Sequence, residues 1–101
     1  MEGSVSGFDW DRGNREKCQK HGVSVGEIEA LLAGGPRVAP DPKHSETEDR
    51  FIAVGRNRRG RPLFVAFTFR TKRGGRFIRP IAARYMHTKE IEHYEKDRPP
   101  A

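Results

Sequence analysis

Between Phe51 and Lys89 the chain has no acidic residue in 39 positions, yet the same stretch holds eleven Lys and Arg. The remainder carries all fourteen Asp and Glu against nine Lys and Arg, so a block of +11 faces a remainder of −5 within a net charge of +6. A one-signed surface concentrates polyanions and speeds encounter with them, which makes RNA or DNA the favoured ligand class. Other scarcities exclude alternatives. A single cysteine, Cys18, leaves no internal disulfide framework and points to a reducing cytoplasm. No apolar run approaches the ~20 residues of a membrane span, and no signal-peptide core is present. The expectation is a soluble, cytoplasmic protein with no membrane partner. Apolar residues make up 34% of 101 positions, so one domain with a small core is expected. At that size only about two-thirds of the unfolded surface is buried, and a partner covering the surface adds stability by mass action.

Local signals divide the chain into a flexible tail at 1–7, one domain at 8–96 and a second tail at 97–101. Phe8-Asp9-Trp10 ends a short strand, and Asp9 or Asp11 caps a helix over Asp11 to Lys20. Gly22 fits the left-handed residue that closes it. Ser24 and Glu27 form a capping box, with Val23 and Ile28 as its hydrophobic staple. Val25, Ile28, Leu31 and Leu32 give the buried stripe, and Gly34-Gly35-Pro36 stops the helix. Pro40 to Asp49 reads as an acidic, polar loop, either plainly solvated or acting as a charge-complementary strap or a contact for a partner protein. Strands follow at Arg50–Arg56, Arg61–Thr71 and Arg76–Arg84, joined by Gly-containing hairpin loops. Pro80 cannot donate to a ladder, which predicts an edge or a bulge there. Thr88 caps a last helix, Lys89–Lys96, with Ile91 and Tyr94 inward. The fold class is α+β: two N-terminal helices, an antiparallel sheet of three to four strands, and a C-terminal helix. Arg56, Arg70 and Arg84 sit at strand ends, with Thr68 in register with Arg70, a pattern suited to a phosphate-binding floor.

The order of motifs is specific. Phe8-x-Trp10-Asp11 comes first, then Lys20-His21-Gly22-Val23-Ser24. Next are Asp41-Pro42-x-His44-Ser45-Glu46-x-Glu48-x-Arg50-Phe51-Ile52-Ala53-Val54-Gly55 and Phe64-Val65-x-Phe67-Thr68-x-Arg70. Arg79-Pro80-Ile81-x-Ala83-Arg84, Glu90 and Tyr94-Glu95 close the series. Together, over roughly residues 8 to 95, these resemble the BrnT family of type II toxin–antitoxin toxins. The resemblance implies a fold similar to the RelE/ParE ribonuclease-like toxins and an RNA-cleaving inhibitor of translation. It also implies an inactivating antitoxin of the BrnA kind, through which operator DNA is met only indirectly. Three features depart from the pattern: no clear apolar first strand before Phe8, a longer and more basic connection at Thr71–Gly75, and Pro80 in place of an aliphatic residue.

RNA cleavage without metal needs a base for the 2′-OH, cations for the charge on the phosphorane, and an acid for the 5′-oxygen. Guanidinium forks suit the cationic task. The catalytic candidates are Arg56, Arg70 and Arg84, with His21 as base or acid and Tyr94 to stack on a base or donate to phosphate. Lys20, Arg58, Arg61, Thr68 and Arg79 are the RNA-binding candidates. Each has a structural alternative. His21 at a helix end serves the dipole, Arg84 pairs with Glu90 or Glu92, and Arg56 is a solvated turn residue. Tyr94 is a core aromatic and Thr68 a strand former. Arg58 and Arg61, at turn tips beside Arg59, supply nonspecific affinity or solubility. His44, His87 and His93 lack metal-ligand spacing, so no metal and no cofactor are expected. Cys18 reads as a small core residue. The expected function is a metal-independent endoribonuclease toxin. The alternatives are a noncatalytic nucleic-acid-binding module and a degenerate toxin that acts only as an antitoxin-binding co-repressor.

Overall fold

A computed structural model describes residues 5–96; the expected tail at 97–101 and the first four positions of the expected N-terminal tail lie outside the described residues. The elements run β1 (Gly7–Phe8), α1 (Arg12–Gln19), α2 (Val25–Ala33), β2 (Arg37–Pro40), a 3-10 turn (Pro42–His44), β3 (Arg50–Arg56), β4 (Pro62–Lys72), β5 (Gly75–Tyr85) and α3 (Thr88–Lys96). They build one five-stranded mixed sheet in the order β1-β5-β4-β3-β2, with β1 parallel to β5 and every other pair antiparallel. The α+β class is as expected; the count of three to four antiparallel strands is corrected to five. β1 contributes only two paired residues, and β2 carries no alternation of buried positions, so neither leaves a periodic signal.

Side chains of successive strand residues point to opposite faces, and both faces of this sheet are used. On one face, Leu63, Val65 and Ala83 pack with Cys18 of α1, Val23 of the α1–α2 corner, and Ile28 and Leu31 of α2. On the other, Val54 and Phe64 pack with Met86, and with Ile91 and Tyr94 of α3. The helices start where the caps specify. Asp11 accepts from Asn14 N, and Asn14 answers onto Asp11 N. Ser24 and Glu27 repeat the exchange for α2. Gly22, at φ 92°, makes the left-handed corner between the two helices. α3 differs from expectation, because Glu90 N and Ile91 N both donate to the His87 carbonyl. His87, not Thr88, therefore holds the capping position.

One further expectation changes and another holds. The Thr71–Gly75 connection is a tight two-residue turn: Lys72 pairs with Gly75, and Arg73 and Gly74 take the positive φ values of 48° and 75°. Pro80 is buried in the body of β5, at a register shift opposite Ala66/Phe67, so the bulge reading holds. It has no N–H to leave unpaired, and its carbonyl accepts from Asn14 Nδ2 at 2.9 Å. That bond fastens α1 to β5, and a second, from the same nitrogen to the Asp9 carbonyl at 3.0 Å, ties α1 to the segment before it. The bulge and the helix thus fix each other.

Candidate functional site

The basic block divides between the two ends of the sheet. On β4, Phe64 pairs with Arg84, while six residues further on Arg70 pairs with Phe77. At about 3.3 Å per strand residue those two arginines are anchored roughly 20 Å apart. They do not surround one phosphate.

At the Arg70 end the cations are matched by carboxylates. Arg79, about one-fifth exposed, contacts Asp9 Oδ2 at 3.3 Å and Asp11 Oδ2 at 2.9 Å. Lys72 Nζ reaches Asp9 Oδ1 at 3.0 Å. Burial works to raise the Asp9 pKa, but hydrogen bonds and charge from Lys72 and Arg79 outweigh it and hold the carboxyl below its ordinary value. Arg70 pairs with Glu48 at 3.1 Å, and Arg50 lies 3.8 Å from the same carboxylate. Thr68, almost fully buried, donates from Oγ1 to the Asp49 carbonyl at 2.6 Å. The acidic loop is therefore a strap across this end. Arg50, Thr68 and Arg79 are register partners on three adjacent strands, which is why Glu48, Asp9 and Asp11 meet them in one row.

The opposite end is arranged differently. His21, Arg61, Arg84, Tyr85, Met86 and His87 line an open depression of about 420 Å³. His21 comes from the α1–α2 corner, Arg61 from the β3–β4 hairpin, Arg84 and Tyr85 from the end of β5, and His87 from the link to α3. Arg84 lies over Phe64, 4.5 Å from the ring centroid, and forks onto Glu90 at 3.1 and 2.8 Å. That carboxylate, with Tyr94 beside it, raises the Arg84 pKa further. Both imidazoles are exposed. Among the described residues no carboxylate lies within ion-pair distance of Arg58, Arg59 or Arg61.

The candidate residues are thus sorted by the fold. His21, Arg61 and Arg84 come together, with Lys20 exposed beside His21. Arg58 stands with Arg61 on the neighbouring hairpin surface. Arg56 is tied to the Gly60 carbonyl at 3.0 Å and to Glu95 at 3.3 Å. Tyr94 is half-buried in the α3 cluster, and its carbonyl accepts from Arg37. Arg70, Thr68 and Arg79 stand at the far end. Two site residues had no sequence signal of their own: His87, hidden in a link, and Tyr85, one position past the expected end of its strand. Reading β5 through to the next helix start places both beside Arg84. Cys18 is buried in the core, which pushes its thiol up to about 11 and leaves it no nucleophile. Among the described residues no three His, Cys, Asp or Glu side chains gather as a metal-binding group, and no helix is long and apolar enough to cross a membrane.

The architecture is an α+β sheet with exposed imidazoles and guanidinium groups at one end. The family model described as "Ribonuclease toxin, BrnT, of type II toxin-antitoxin system" matches residues 10–90, and the chain belongs to that family. No curated protein matches it. Membership brings an antitoxin partner and an RNA target with it.

Proposed function

We propose that this chain is an endoribonuclease toxin that cleaves RNA with its own side chains, without metal, at the His21–Arg84 end of the sheet. The observation that carries this reading is that His21, His87, Arg61 and Arg84 all line one depression, with both histidines exposed. One imidazole takes the proton of the ribose 2′-OH as its oxygen bonds to phosphorus. The other gives a proton to the 5′-oxygen as the P–O5′ bond breaks, leaving a 2′,3′-cyclic phosphate and a 5′-hydroxyl. Arg61 and Arg84 stabilise the charge on the phosphorane, Arg84 exchanging Glu90 for phosphate. Arg56 and Tyr94 support this end through α3, and Lys20 and Arg58 steer the backbone toward it. Arg70, Thr68 and Arg79 belong to the ion-paired end, where Glu48, Asp9 and Asp11 answer the two guanidinium groups and Thr68 bonds to the Asp49 carbonyl, so they take no part in holding the scissile phosphate. The architecture is read as RelE/ParE-like, the setting as the cytoplasm and the consequence as arrested translation. An antitoxin of the BrnA kind covers the basic end and alone touches operator DNA.

Incubation of the purified protein with total RNA in EDTA tests this. Fragments carrying cyclic phosphate with the wild type, and intact RNA with the folded Arg84→Ala variant, are expected. Intact RNA in both lanes, with binding retained, would favour the noncatalytic module.

A further inference from the structure

A second depression, of about 390 Å³, adjoins the first and shares Arg61 and Tyr85 with it; Glu27, Asn57, Arg58 and Arg59 complete its lining. Its parts are tied together through one carboxylate. The Tyr85 hydroxyl donates to both oxygens of Glu27 at 3.0 Å, and Asn57 Nδ2 donates to Glu27 at 2.9 Å. Asn57 Oδ1 in turn accepts from the backbone N–H groups of Arg59 and Arg61, each at 2.9 Å. The ring and the hairpin bearing Arg61 are therefore fixed relative to each other. The guanidinium carbon of Arg61 lies over the Tyr85 ring, 3.6 Å from its centroid. Arg61 is an exposed residue, so one face of the guanidinium plane is backed by the ring and the other is open to solvent.

We propose that this backed Arg61 plane is a stacking platform for a nucleobase of single-stranded RNA, one belonging to a nucleotide that flanks the scissile phosphate. Guanidinium planes and aromatic rings are the surfaces on which unpaired bases stack. The shared lining puts the base in one depression while its phosphate lies in the other, so the inference rests on the function proposed above. Selectivity follows from the same bonds. Both oxygens of Glu27 and both polar atoms of Asn57 are already engaged within the protein, so neither side chain offers a free acceptor to a Watson–Crick edge, and stacking on the plane is itself indifferent to base identity. The platform therefore accepts any base, preferring larger ring systems, and discriminates between RNA that is unpaired and RNA that is base-paired.

The test compares two short 2′-O-methylated single strands of equal length and charge, one carrying adenine bases and one with abasic sugars. Binding is measured by fluorescence anisotropy for the wild type, Arg61→Lys and Tyr85→Leu. The base-bearing strand is expected to bind the wild type about tenfold more tightly than the abasic one. Arg61→Lys keeps the charge but loses the plane, and should bring that ratio close to one, as should Tyr85→Leu if circular dichroism shows it folded. Equal affinity for the two strands in the wild type overturns the proposal. So does a ratio that survives Arg61→Lys, because the base is then held elsewhere. A preserved ratio in the wild type that collapses in Arg61→Lys, together with failure to cleave unmodified RNA, would sink the nuclease reading and leave the platform standing.

Discussion

The two ends of the sheet carry the same kind of residue and put it to opposite use. At the Arg79 end, Lys72, Arg79, Arg70 and Arg50 meet Asp9, Asp11 and Glu48, all supplied by the acidic remainder of the chain. At the His21 end, α3 brings Glu90 to Arg84 and Glu95 to Arg56, while among the described residues Arg58, Arg59 and Arg61 have no carboxylate within ion-pair distance. Charge that is segregated along the sequence is thus partly reunited by folding. A count of +11 over 39 residues measures what the block contains, whereas the fold decides how much of it a polyanion meets.

The comparison breaks most sharply on the imidazoles. His21→Ala is expected to slow RNA cleavage by about 10²–10⁴-fold with little change in melting temperature, checked by single-turnover assay beside thermal unfolding. Arg79→Ala should do the reverse. It strips the nearly buried Asp9 of one of two cationic partners and costs roughly 2–3 kcal/mol, a fall in Tm of roughly 10 °C or more, measurable by calorimetry. A loss of cleavage in Arg79→Ala at a temperature where it remains folded would erase the division between the ends.

Acid titration sharpens the same contrast. The folded pKa of Asp9 is held below its unfolded value, so its contribution to stability is complete above about pH 4 and is lost as pH falls through the folded value. Denaturant unfolding of Asp9→Asn should show a lower plateau at neutral pH and a shallower decline below pH ~4 than the wild type. An unchanged slope would remove Asp9 from the account. The smallest effect is expected from Glu90→Gln, which releases Arg84 from its carboxylate. RNA affinity at low salt should rise a few-fold, about what one freed surface charge contributes, and the gain should disappear at high salt.

Much of the fold was legible because the caps and staples are local. Asp11, Ser24, Glu27 and Gly22 act within a few residues of themselves, and the structure places them as read. β1 and β2 were not legible. A two-residue strand is defined by its partner, and Arg37–Pro40 is held by the register of β3 rather than by any pattern of its own. The candidate site was legible in part for a related reason. Arg70 and Arg84 both stand near strand ends, but β4 and β5 each run eleven residues, so their ends are far apart. Strand-end position alone cannot say which end a residue occupies relative to its neighbours across the sheet. The register can, and it sets Arg84 next to the start of β4, beside the hairpin that carries Arg61 and away from Arg70.

The most direct test of the central claim is the pH–rate profile of single-turnover RNA cleavage in EDTA for the wild type, His21→Ala and His87→Ala. The account predicts a bell for the wild type and the loss of one limb in each variant, because one imidazole acts as base and the other as acid. Two variants that keep the full bell at the wild-type rate would contradict it and move the chemistry away from this end of the sheet.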